Sequence, residues 1–206
     1  MLIASKRVAV IAAALLLPSA LNAQVVCALG VGASSYKSAE DQRPTADAME
    51  LATRMSAAVK SICGPNCPSV AVFRNPTAAN LMLVAHAAEA RLTYAPQFFT
   101  AIYDEFGDGG LLGLMAHIFG HALDDTLGAA WVKSSWSPEL RADAWAGCEM
   151  ARADLSSDEL DSAAGALRKH PAPAHPLWDA RMPVLRTGFT ECGGNGAKFD
   201  AAAKTR

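Results

Sequence analysis

Two histidines four residues apart, His117 and His121, and two carboxylates four residues apart, Glu139 and Asp143, have the types and spacing to do chemistry together. Around the histidines, Leu111, Leu114, Met115, Ile118 and Ala122 recur at the helical period, forming one apolar stripe with both imidazoles projecting beside it from consecutive turns. At that separation two ring nitrogens can close on one ion without distorting the backbone. A His-x-x-x-His pair also arises by chance as a solvated or core-edge feature. Glu139 and Asp143 share one side of the next helix, which Ser137 opens as N-cap with Pro138 in its first turn. The plain alternative for them is two solvated charges, with Glu139 favoured near the helix start by the macrodipole.

Together the segments Ala116-His117-Ile118-Phe119-Gly120-His121-Ala122-Leu123-Asp124 and Glu139-Leu140-Arg141-Ala142-Asp143-Ala144-Trp145-Ala146-Gly147 resemble the gluzincin metallopeptidases, including the branch that contains the CAAX prenyl proteases. In that family an H-E-x-x-H helix supplies two zinc ligands, and a later helix supplies a Glu ligand followed four residues on by an Asp. The resemblance spans residues 95–188. It implies that His117, His121 and Glu139 hold zinc and that Asp143 orients His117. The last role agrees with general metal-site chemistry, in which a ligating imidazole donates its other N–H to a carboxylate.

The resemblance also implies a zincin sheet whose edge strand lies over the active helix and holds an extended peptide; residues 91–94 are expected to be that strand. The segment from His175-Pro176 to Gly188 is similar to the His-Pro, Arg and Leu-x-x-Gly tail common in these enzymes, although a helix N-terminus with amphipathic packing explains it nearly as well. Gly120 is expected to permit close helix packing.

One position departs from the family. Its members carry a general-base glutamate after the first histidine, and this chain has Ile118. Zinc alone can lower the pKa of a bound water to about 7, but a lost general base typically costs about 10²–10⁴ in rate. Asp124 and Asp125 lie beyond the site, and His86, His170 and His175 have no spacing that links them to it. The expected function is therefore a silenced or weak zinc-peptidase-like protein that binds zinc and has peptides or proteins as its open partner class. The alternative is an active zinc endopeptidase using an unrecognised base. A third reading, in which the metal is also lost, leaves the joint presence of both histidines, Glu139 and Asp143 unexplained.

The start of the chain bears on where this chemistry would operate. Lys6 and Arg7 precede an apolar run at 8–17, then Pro18, Ser19 and small residues to Ala23, the pattern of a signal peptide over residues 1–23. The run is short of the roughly 20 residues that span a bilayer, so no stable membrane span is expected after cleavage, and the protein is expected to be periplasmic or secreted. All five cysteines follow residue 23, where disulfides can persist. Cys148–Cys192 is the expected bridge, with Cys63–Cys67 as a second. An odd count leaves one cysteine over, and Val26 before Cys27 argues against lipidation there. The net charge of −2 and the absence of a Lys/Arg run give no electrostatic footprint for nucleic acid.

The 206 residues, 51% hydrophobic, suit one domain over 24–192, with 193–206 as a flexible C-terminal tail. Helical spacing covers 45–62. Three β-like runs follow at 69–73, 80–85 and 91–94, the middle one also compatible with a helix. Helical patterns then cover 96–106, 111–125, 138–153, 156–168 and 176–188, with Gly107 to Gly110 as a break. The expected fold class is α+β, a small N-terminal sheet packed on a mainly helical, zincin-like half.

Overall fold

The structure is a computed structural model and describes residues 24–30, 35–86 and 89–203. The expected signal peptide, residues 1–23, lies outside them. The fold is α+β. Strand β1 (Gln24–Leu29) is followed by helix α1 (Ala46–Cys63), strands β2 (Val70–Arg74), β3 (Leu81–His86) and β4 (Glu89–Tyr94), and helices α2 (Pro96–Thr126), α3 (Pro138–Arg152), α4 (Ser157–Lys169), α5 (Trp178–Glu191) and α6 (Gly196–Ala202).

The sheet order is β1-β3-β4-β2. β3 pairs antiparallel with β1 and β4, while β2 joins β4 in parallel. Leu81, Met82, Leu83 and Val84 are all buried, the mark of an interior strand covered on both faces. Pairing on both sides overrides the helix preference of its Leu, Met and Ala residues.

Residues 91–94 are not an edge strand, contrary to expectation. They belong to β4, whose flanks are taken by β3 and β2, and consecutive burial of Leu92, Thr93 and Tyr94 accompanies that interior position. The edges are β1 and β2.

Helix α2 is the axis of the molecule. It starts at Pro96 and bends once, at Gly107, where φ 62° and ψ −160° are non-helical and suit a residue without Cβ. The expected break shrinks to this one residue. Every residue from Gly109 to Leu123 is buried, as a helix surrounded on all sides must be. The sheet, α1, α3 and α4 pack around it, and α5 packs on α3.

The loop after α2 is fixed by the Trp131 ring, 4.9 Å from that of Trp145, and by Arg141 Nη1 donating to the Trp136 carbonyl at 2.7 Å. Ser137 accepts from the Leu140 N–H and so starts α3. Disulfides join Cys63 to Cys67 and Cys148 to Cys192; the second ties α3 to the end of α5. Residues 196–202, expected within a flexible tail, form α6 instead. Asn195 caps it, and the buried Phe199 packs 5.3 Å from Phe189.

Candidate metal centre

The site forms where α2 crosses α3. At Gly120 the backbone of α3 comes so close that a Cβ would run into the Ala142 carbonyl, so a bare glycine sets the approach of the two helices. Across this contact Glu139 Oε2 lies 3.2 Å from His117 Nε2 and 3.3 Å from His121 Nε2. The three side chains singled out in the sequence thus converge on one point, almost entirely out of solvent.

Behind them is a buried relay. His117 Nδ1 is 3.0 Å from Asp143 Oδ1. Arg181 donates from Nε to Asp143 Oδ2 at 2.7 Å and from Nη2 to Oδ1 at 2.9 Å, while its Nη1 donates to the Leu167 carbonyl. Burial would raise the Asp143 carboxyl, but the bonds from Arg181 and His117 outweigh it and bring it down to about 2. An ionised Asp143 accepts the Nδ1 proton of His117, which leaves the Nε2 lone pair aimed at the centre.

Burial pushes Glu139 upward too, yet the close approach of the His117, His121 and His175 rings holds it well below the usual carboxylate range. For His117 and His121 burial works toward neutrality and is overcome by the surrounding acceptors, so both lie above the ordinary histidine value. Protons and a divalent cation compete for the same lone pairs at such a point.

Two residues join the site that spacing did not bring to it. Cys27 Sγ, on β1, is 3.8 Å from His117 Nε2 and 4.0 Å from Glu139 Oε2. His175 Nε2 is 2.6 Å from Glu139 Oε2 and 3.1 Å from His117 Nε2. The His175-Pro176 pair, noted in the tail resemblance, was the available signal for the second. For Cys27 the signal was arithmetic, since it is the cysteine left over from the two bridges.

Cys27, His117, His121 and Glu139 offer four ligand atoms all within 4.8 Å of one another, a group that could hold a metal ion. The donor set fits. His121 Nε2 is buried with no hydrogen-bond partner, its 3.3 Å approach to Glu139 falling outside hydrogen-bond geometry. An orphaned buried nitrogen of this kind calls for a missing partner.

Three further positions weighed in the sequence, Ile118, Asp124 and His170, have their contacts elsewhere. Ile118 is fully buried in the hydrophobic core. Asp124 is held by Arg141 Nε at 2.8 Å, and His170 packs edge-on against Phe98 and Phe106. Comparison with protein-family models, curated proteins and solved structures gives no match for the chain.

Proposed function

We propose that the chain is an exported, gluzincin-like domain that holds zinc through His117, His121 and Glu139 and hydrolyses peptides weakly or not at all. The observation that carries this reading is the convergence of His117 Nε2 and His121 Nε2 on Glu139 Oε2 at 3.2 and 3.3 Å, with Asp143 and Arg181 buried behind them. Zinc suits two imidazoles and a carboxylate, and when bound it supplies Lewis acidity. Export is supported by the two disulfides, which persist in oxidising compartments.

Silencing is supported by Ile118, which stands in the sequence where the resembled family has its glutamate base. His175 is no substitute. The Ala172 N–H donates to its Nδ1 at 2.8 Å, so a neutral ring carries its proton on Nε2, the atom facing Glu139. Burial depresses the His175 pKa, in keeping with that neutral form. A group already donating from Nε2 has no lone pair there to take a proton from water.

Metal analysis of the natively purified protein, beside His121→Ala, tests the reading. About one zinc per chain in the wild type, lost in the variant, is expected, together with little chelator-sensitive hydrolysis of casein. A wild type that takes up no zinc on dialysis refutes the metal assignment, and strong chelator-sensitive turnover refutes the silencing.

A further inference from the structure

We propose that Cys27 is the fourth ligand of this metal, so that four protein side chains close the site and leave no coordination position for water or substrate. The inference rests on the reading that His117, His121 and Glu139 hold zinc.

Separations argue for it. Two donors on a tetrahedral zinc, with bonds of about 2.0–2.3 Å, lie roughly 3.3–3.6 Å apart. The Glu139 oxygen is 3.2 and 3.3 Å from the two histidine nitrogens, and the Cys27 sulfur is 3.8 and 4.0 Å from His117 Nε2 and Glu139 Oε2. The carboxylate-to-imidazole separations are those of two donors on one ion, the sulfur stands a few tenths of an ångström wider, and all four donor atoms lie within 4.8 Å of one another. His175 differs: at 2.6 Å from Glu139 Oε2 it has the length of a charge-assisted hydrogen bond. It braces the carboxylate from outside the donor set.

The backbone of β1 is shaped to deliver the sulfur. The β1–β3 register shifts between Val25 and Cys27, and bulges of this kind re-aim a side chain. Gln24 and Val25 before the shift and Val26 within it are exposed, whereas Cys27 after it is buried. The bulge turns the one cysteine outside the two disulfides into the cluster that also contains the unpartnered His121 Nε2. One thiolate and one carboxylate would also cancel the charge of a divalent ion, which removes much of the penalty for burying charge in an interior.

A closed site accounts for Ile118 as well. With no coordinated water there is nothing for a general base to deprotonate, so an aliphatic residue at that position costs no function. Four protein ligands are the mark of structural rather than catalytic zinc.

The test is cobalt(II) substitution of the full chain, dialysed from chelator into cobalt, for wild type and Cys27→Ser. The expected wild-type result is one cobalt per chain, strong tetrahedral visible absorption and a near-ultraviolet thiolate-to-cobalt charge-transfer band. Cys27→Ser should lose that band. A second measurement needs no variant: Cys27 in the zinc-loaded wild type should resist iodoacetamide and become reactive when chelator strips the metal. Cobalt bound by wild type without a thiolate band, or Cys27 alkylated equally with and without zinc, overturns the closed site and leaves the three-ligand reading standing. No cobalt or zinc bound by wild type overturns both.

Discussion

Arg181 grips Asp143 with two nitrogens, Nε on Oδ2 at 2.7 Å and Nη2 on Oδ1 at 2.9 Å, and neither side chain reaches solvent. This pair joins α5 to α3 and fixes the carboxylate that turns His117. Arg181→Met strands Asp143 in the interior, and breaking a buried pair from one side costs about 3–5 kcal/mol. Urea unfolding in chelator should register that loss. Competitive zinc titration should in addition show affinity reduced about 10–100-fold, as when the partner of a ligating histidine is disturbed. Unchanged zinc affinity in a folded Arg181→Met would mean that Asp143 does not need this support.

Gly120→Ala tests the helix crossing itself. The added methyl meets the Ala142 carbonyl, a backbone atom that yields only if α2 and α3 separate. Overpacking of this kind costs about 1–3 kcal/mol, and here separation also draws His121 away from Glu139. Stability and zinc affinity should fall together. Gly128→Ala, with nothing within 4 Å of the new methyl, serves as the control and should stay within about 0.5 kcal/mol of wild type. A neutral Gly120→Ala would show that the crossing is looser than its geometry implies.

Glu149 gives the protein a pH dependence of its own. It is fully buried and neither oxygen has a hydrogen-bond partner. Burial pushes its carboxyl well above the usual range, the field of His117 opposing only in part. The folded state therefore keeps a proton that the unfolded chain gives up above pH about 4.5. Stability from this group is intact below that value and is lost as pH rises toward the folded pKa. Glu149→Met, which fills similar volume without a polar group, should be more stable than wild type at pH about 8, with the advantage shrinking toward pH about 4.5. Chemical denaturation across that range decides it; a gap that widens at low pH would mean Glu149 is ionised in the fold.

Much of this was legible because local rules and the tertiary structure agree. Ser137 with Pro138 in the first turn starts α3, Ser156 and Glu159 cap the start of α4 by bonding each other's backbone N–H, and the pairs His117/His121 and Glu139/Asp143 sit on adjacent helices that meet. The unreadable parts depend on contacts between distant segments. Cys27 and His117 are 90 residues apart, and no local period places a short strand beside the helix it touches. His175 reaches Glu139 only through the turn before α5. The interior position of β4 follows from β2 pairing in parallel beside it, a non-local choice that the run at 91–94 does not encode. Phe199 lies in a segment whose charge and glycines suggest a tail, but its own burial against Phe189 holds the helix down.

The last prediction separates the two features that would keep the site silent. Ile118→Glu alone supplies a carboxylate but, if Cys27 closes the metal site as proposed, no water for it to act on; the variant should stay as inactive as wild type. It should also be less stable, since Ile118 is completely buried in the apolar core and a carboxyl there is costly unless neutralised or paired. Cys27→Ala alone opens a position without providing a base, so hydrolysis should remain slow. Only Cys27→Ala combined with Ile118→Glu has both an open position and a proton acceptor. It should exceed the Cys27→Ala single variant by at most about 10²–10⁴, less whatever the misfit around residue 118 takes away. The measurement is a quenched-peptide assay on the four zinc-loaded proteins, with circular dichroism to establish that each is folded and chelator as the blank. Equal rates in all four would show that neither Cys27 nor Ile118 holds the activity down. Chelator-sensitive hydrolysis already strong in the wild type, and lost on Cys27→Ala, would show that the cysteine serves the reaction rather than blocking it.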